Sequence, residues 1–64
     1  MIKVAVDAMG GDHAPGEVVK GAIDAVSQRA DIQVLLVGKA DLVKKELAKQ
    51  GYPKKQVQVI PASE

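Results

Sequence analysis

Apolar residues follow two different spacings in the first half of the chain. Ile2, Val4 and Val6 occupy alternate positions, which predicts a strand over residues 2–6. From Pro15 to about Arg29 the spacing becomes helical, and Pro15 suits the first turn of a helix. The apolar stripe of this helix consists of Val18, Val19, Ala22, Ile23, Ala25 and Val26. We attribute Gly21, which lies inside the stripe, to a close approach of the helix to a sheet.

The second half of the chain repeats this order. Residues 32–37 are nearly all apolar, which predicts a strand covered on both faces. A second helix is predicted to begin near Asp41 and to end at Gly51, just before Pro53. Its apolar face consists of Leu42, Val43, Leu47 and Ala48. A third strand follows, formed by Val57, Val59 and Ile60 and closed by Pro61.

The alternation of strands and helices predicts an α/β fold. We expect a parallel βαβαβ unit that begins a doubly wound, Rossmann-like sheet of the three-layer α/β/α type. The chain has 64 residues, no cysteine and a single aromatic residue, Tyr52, which is little material for an independent core. We therefore expect residues 1–64 to be the N-terminal portion of a single larger domain.

Charge and hydropathy exclude several classes of function. The net charge of +1 is too small to indicate a nucleic-acid surface. The longest apolar run, 34–37, is far shorter than the roughly 20 residues that span a bilayer. Asp7 and Asp12 interrupt the apolar N-terminus, so no secretory signal is predicted. We expect a soluble, cytoplasmic protein.

The loop after the first strand, residues 7–14, combines two acids, two glycines and the one histidine of the chain. Ligands of open parallel sheets bind beyond the carboxyl ends of the strands, and the N-terminus of a helix attracts anions. We expect Gly10 and Gly11 to admit a phosphate close to the backbone, and Asp12 and His13 to orient it or move a proton. Purely structural roles stay open: Asp7 as an acceptor for loop amides, Asp12 as a helix cap and the glycines as turn residues.

The segment Asp7-Ala-Met-Gly-Gly-Asp-His-Ala-Pro15, directly after an N-terminal apolar strand, resembles the opening signature of the bacterial fatty acyl-ACP:phosphate acyltransferases. Further similarity lies in Lys20-Gly21-Ala22, in Leu36-Val37-Gly38 and in Ala62-Ser63-Glu64. Pro61 departs from the family, which often has histidine at this position. The similarity covers the whole chain but only about the first fifth of such an enzyme.

The resemblance implies that a fatty acyl group passes from acyl carrier protein to inorganic phosphate, giving an acyl phosphate for phospholipid synthesis. A membrane-bound glycerol-3-phosphate acyltransferase would use the product. The implied substrate-binding residues are Asp7, Gly10, Gly11, Asp12 and His13, with no cofactor and no metal. The catalytic groups would lie in later segments, so we expect residues 1–64 alone to be inactive. Family members are homodimers by the same resemblance, and peripheral contact with the inner face of the membrane is expected.

Three alternatives stay open from the sequence alone. The first is a non-catalytic α/β module that binds a phosphorylated ligand. The second is a metal-dependent phosphohydrolase with Asp7, Asp12 and His13 as ligands. The third concerns only the lysine cluster, which is either a docking surface for an acidic carrier protein or membrane, or a solvated helix face. This cluster consists of Lys44, Lys45, Lys49, Lys54 and Lys55.

Overall fold

The computed structural model describes residues 1–62 and forms a three-stranded parallel sheet with two helices. Ser63 and Glu64, part of the sequence similarity noted above, lie outside the described residues. The elements in chain order are β1 (Ile2–Asp7), α1 (Gly16–Gln28), β2 (Ile32–Gly38), α2 (Ala40–Gln50) and β3 (Val57–Pro61). This arrangement confirms the predicted parallel βαβαβ order.

The sheet has the strand order β1-β2-β3, with β2 in the centre. In β1 and β2, Ile2 pairs with Ile32 and Asp7 pairs with Val37. In β2 and β3, Val34 pairs with Val57 and Gly38 with Pro61. The carboxyl ends of all three strands therefore lie at one edge of the sheet.

Both helices pack on the same face of the sheet and share one apolar core. The buried apolar side chains of β2, Val34 and Leu36, are two residues apart, so they point to the same face. They contact buried residues of both helices and of the adjoining strand and loop, namely Ala8, Val19, Ala22, Val26, Val43, Leu47 and Val57. Burying a side chain such as Leu36 completely contributes roughly 1.5–3 kcal/mol.

The opposite face of the sheet has no helix among residues 1–62. Leu35 and Val37 are only half-buried there, so the prediction that β2 is covered on both faces is wrong for this part of the chain. Residues 1–62 form two layers, one of helices and one of strands, because α1 and α2 lie on the same side of the sheet. The apolar residues of β2 therefore lie on two faces of the sheet: α1 and α2 cover one face, and no element among residues 1–62 covers the other.

Two details of the helices also differ from the sequence prediction. No atom lies within 4 Å of a Cβ built on Gly21, and Gly21 is exposed, so close approach to the sheet does not explain this glycine. In α2, Val43 and Leu47 are buried while Leu42 is 40% exposed and Ala48 is exposed. A spacing of four residues places the two buried side chains on one stripe and turns their neighbours to its flank.

The predicted end of α2 is confirmed. Gly51 follows the helix with φ +75°, a conformation that favours glycine, and its N–H donates to the carbonyl oxygen of Leu47. Within residues 1–62, neither helix combines the length and apolar character needed to cross a membrane.

Candidate functional site

A partly open cleft lies at the carboxyl edge of the sheet, where the strands end. It has a volume of about 570 Å³ and is lined by Asp7, Met9, Val37, Gly38, Lys39 and Ala62. We call it the edge cleft. Asp7 and Val37 are register partners, so their side chains lie on the same side of the sheet, away from the helices. This is the position where open parallel sheets bind ligands.

Backbone hydrogen bonds fix the walls of the edge cleft. The N–H of Ala8 donates to the carbonyl oxygen of Val37 at 2.8 Å, which joins the end of β1 to β2. The N–H of Ala62 donates to the carbonyl oxygen of Gly38 at 2.9 Å, which joins the end of β3 to β2. The chain on either side of the end of β2 is therefore held to the central strand by backbone hydrogen bonds.

Asp7 connects the edge cleft to the loop that follows β1. Its Oδ1 accepts a hydrogen bond from the N–H of Met9 at 2.9 Å, and its carbonyl oxygen accepts a longer one, 3.4 Å, from the N–H of Gly10. An aspartate that bonds the amide two residues later is a common turn former. The structural role left open for Asp7 is therefore present, and the same carboxylate also lines the cleft.

The backbone requires glycine at one of the two glycine positions of the loop but not at the other. Gly11 has φ +93°, where a Cβ is strained, so the turn itself requires glycine. Gly10 has no positive φ, and a Cβ there would meet Asp7 at 3.7 Å, an ordinary contact. The fold of residues 1–62 therefore explains Gly11 but leaves Gly10 without a structural requirement.

Asp12 and His13 are exposed and do not line the edge cleft. Asp12 does not cap α1, because the N-cap residue is Pro15 and no side chain bonds to this helix end. The carbonyl oxygen of His13 accepts the N–H of Glu17 at 3.3 Å, while its imidazole faces solvent. Of the five predicted binding residues, Asp7 lines the edge cleft. Ligand binding by the other four, Gly10, Gly11, Asp12 and His13, stays a prediction.

A carboxylate of the protein already lies at the N-terminal end of α1. Oε1 of Glu46, from α2, is 3.4 Å from the position of a Cβ on Gly16, the first residue of α1. Glu46 also pairs with Lys49 at 3.3 Å. Negative charge at a helix N-terminus is favourable, so Glu46 stabilises this end and competes there with any external anion.

Lys39 is the residue of the edge cleft that the sequence interpretation did not single out. It follows Gly38 at the end of β2 and is the N-cap residue of α2, with an exposed side chain. The rule that identified the loop after β1 applies equally to the end of β2, and that signal would have found it. Neither of the two ion pairs found within residues 1–62 involves Lys39 or Asp7.

Met9 and Gly38 form the contact at the base of the cleft. A Cβ on Gly38 would lie 2.8 Å from Cγ of Met9 and 3.4 Å from Cβ of Ala8. Met9 is half-buried and packs against the core. The absence of a side chain at position 38 therefore lets Met9 lie across the end of β2.

No group of three or more acidic, histidine or cysteine side chains within the described residues is arranged to hold a metal ion. Asp7, Asp12 and His13 accordingly do not form a three-ligand set in this structure. The chemistry that the edge cleft offers is one carboxylate acceptor, one ammonium donor and an apolar wall.

Comparison with known proteins adds a family to this geometry. Residues 2–64 match the family model described as fatty acid synthesis protein. The chain is 44% identical over 63 residues to a phosphate acyltransferase of Clostridium tetani, covering 98% of this chain and 19% of that protein. It is 48% identical to the phosphate acyltransferases of Alkaliphilus oremlandii and Desulfitobacterium hafniense, covering 98% and 100% of this chain and 18% of each relative. The chain thus spans about a fifth of the length of these curated relatives, and the resemblance drawn from residues 7–15 is confirmed.

Proposed function

The chain belongs to the fatty acid synthesis protein family, and from this membership we propose that the full-length protein transfers a fatty acyl group from acyl carrier protein to inorganic phosphate. The relatives named phosphate acyltransferase support this reaction. The structural observation that carries the proposal is the edge cleft, which places a lysine and an apolar wall together at the carboxyl end of a parallel sheet.

The chemistry needs two substrates and no protein nucleophile. An oxygen of phosphate attacks the thioester carbonyl, a tetrahedral oxyanion forms, the carbon–sulfur bond breaks and the carrier leaves as a thiolate that takes up a proton. Positioning the phosphate against the carbonyl and stabilising the oxyanion lower the barrier.

The proposed roles divide between the cleft and the loop. Asp7 holds the loop through the amide of Met9 and contacts the phosphate side of the cleft. Gly10 and Gly11 let the backbone approach the substrate, and Asp12 and His13 act from the solvent side. The groups that stabilise the oxyanion belong, in this proposal, to the remaining four-fifths of the length of the relatives.

The product is proposed to serve phospholipid synthesis, as the substrate of a membrane-bound glycerol-3-phosphate acyltransferase. The homodimer, the cytoplasmic location and peripheral contact with the inner face of the membrane are parts of the same proposal. The lysine cluster is exposed throughout, and one member, Lys49, pairs with Glu46. Reversing the charge of Lys44 and Lys45 tests the cluster: a weaker affinity for acyl carrier protein supports docking, and an unchanged affinity leaves a solvated helix face.

The decisive experiment incubates the full-length protein with acyl carrier protein bearing a fatty acyl thioester and with phosphate. Acyl phosphate, detected by its ³¹P NMR signal, is expected to appear in step with free carrier thiol and only when phosphate is present. Phosphate binding without acyl phosphate would instead favour a non-catalytic module. Release of free fatty acid independent of phosphate would contradict the transfer reaction.

A further inference from the structure

Asp7 and Lys39 line one cleft but come from different strand ends, Asp7 from the end of β1 and Lys39 from the residue after β2. Parallel strands lie about 4.8 Å apart, and Asp7 is in register with Val37, two residues before Lys39. The cleft is therefore lined by one residue whose carboxylate accepts hydrogen bonds but cannot donate and by another whose ammonium donates but cannot accept.

From this pair we propose that the edge cleft selects phosphate over sulfate, with Lys39 supplying the charge and Asp7 the selectivity. The inference rests on the proposed function, because it concerns the phosphate that the reaction uses. Inorganic phosphate keeps at least one proton at neutral pH and can donate it in a hydrogen bond to a carboxylate. Sulfate has no proton to donate, so it meets the carboxylate only as a like charge.

The geometry of Asp7 is suited to this task. One oxygen, Oδ1, is engaged by the amide of Met9, which fixes the carboxylate at the mouth of the loop. No hydrogen bond to the other oxygen, Oδ2, is found within residues 1–62. A carboxylate with one oxygen anchored by the backbone presents the second to a ligand in a defined orientation.

Lys39 offsets the repulsion between that carboxylate and an anion. Its ammonium is the one cationic side chain that lines the cleft among the described residues. Loss of a hydrogen bond to a charged group corresponds to roughly tenfold or more in affinity. Removing the charge of Lys39 should weaken the binding of both anions. Removing only the acceptor character of Asp7 should change the ratio of the affinities for phosphate and sulfate.

The test uses the full-length protein and equilibrium dialysis with labelled inorganic phosphate, with sulfate as the competitor. Lys39→Gln should lower the affinity for both anions about tenfold, and Lys39→Arg should restore most of it. Asp7→Asn keeps an oxygen for the amide of Met9 but can donate from its amide group, so the preference for phosphate over sulfate should fall about tenfold. Lys20→Gln and Asp24→Asn, exposed positions on α1, are the matched controls and should bind both anions as the wild type does.

Binding and turnover separate the two levels of the proposal. If the wild type forms acyl phosphate while Lys39→Gln and Asp7→Asn keep its phosphate affinity and its selectivity, the inference is overturned and the function stands. If the wild type shows the predicted selectivity but forms no acyl phosphate, the cleft assignment is supported and the function fails. A wild type that does not bind phosphate, or binds sulfate equally well, overturns the inference directly.

Discussion

Gly38→Ala is the substitution whose effect the structure defines most closely. The new Cβ would lie 2.8 Å from Cγ and 3.2 Å from Sδ of Met9, and 3.4 Å from Cβ of Ala8. Ala8 is fully buried and its N–H is bonded to Val37, so it cannot retreat. Met9 must therefore leave its position across the end of β2.

The size of the effect follows from two opposing contributions. Overpacking of this kind costs about 1–3 kcal/mol. Gly38 does not have a positive φ, so alanine adds no backbone strain and recovers about 0.4–1 kcal/mol through the unfolded state. The net expectation is a loss of roughly 0.5–2 kcal/mol in the free energy of unfolding.

Urea denaturation of the full-length protein measures this loss, and a double-mutant cycle identifies its source. Met9→Ala in the Gly38→Ala background removes the clashing atoms, so the two substitutions should be non-additive by at least about 0.5 kcal/mol. Gly10→Ala, where the Cβ meets only ordinary contacts, is the control and should change stability by less than about 0.5 kcal/mol. Wild-type stability in Gly38→Ala, or strict additivity with Met9→Ala, would refute the packing argument.

Three further predictions concern the loop, the core and the surface. Gly10→Ala should weaken phosphate binding in equilibrium dialysis without loss of stability, and phosphate binding equal to that of the wild type would leave the loop without a ligand role. Gly11→Ala should lower the free energy of unfolding by about 1–2 kcal/mol, because position 11 has a φ of +93°. Leu36→Ala should lower the free energy of unfolding by about 2–5 kcal/mol, and a smaller change would mean that this fully buried side chain is not central to the core. The hydrogen bond from Arg29 lowers the pKa of Asp31 below 3.8, so the ion pair contributes to stability above that pH, and this contribution is lost as the pH falls through the lowered pKa. An NMR titration of Arg29→Gln should show a higher pKa of Asp31 than in the wild type, and an unchanged pKa would contradict the pair.

The sequence predicts the local features of this fold well. Alternation in β1 identified its strand, and Gly51 identified the end of α2, because both signals arise within a few residues. The exposure of Leu42 was not predictable in the same way, since it depends on the rotation of α2 about Val43 and Leu47. The uncovered face of β2 was missed for a related reason: an apolar run shows that side chains are apolar but not which element covers them.

The candidate site was predicted only in part, and the reason is again the range of the interactions. Asp7 was identified because it belongs to a contiguous motif that begins at the end of a strand. Lys39 was not singled out, although it follows the end of β2; that it lines the same cleft as Asp7 depends on the register of β1 with β2, which joins residues far apart in the chain. The role of Gly38 likewise depends on Met9, a contact between two strand ends that no local pattern records.

The location of bound phosphate tests the central claim most directly. A crystal structure of the full-length protein with inorganic phosphate should show the anion in the edge cleft, within hydrogen-bond distance of Nζ of Lys39 and of the Asp7 carboxylate. Phosphate bound elsewhere, with Lys39 and Asp7 both without contact to it, would contradict the account.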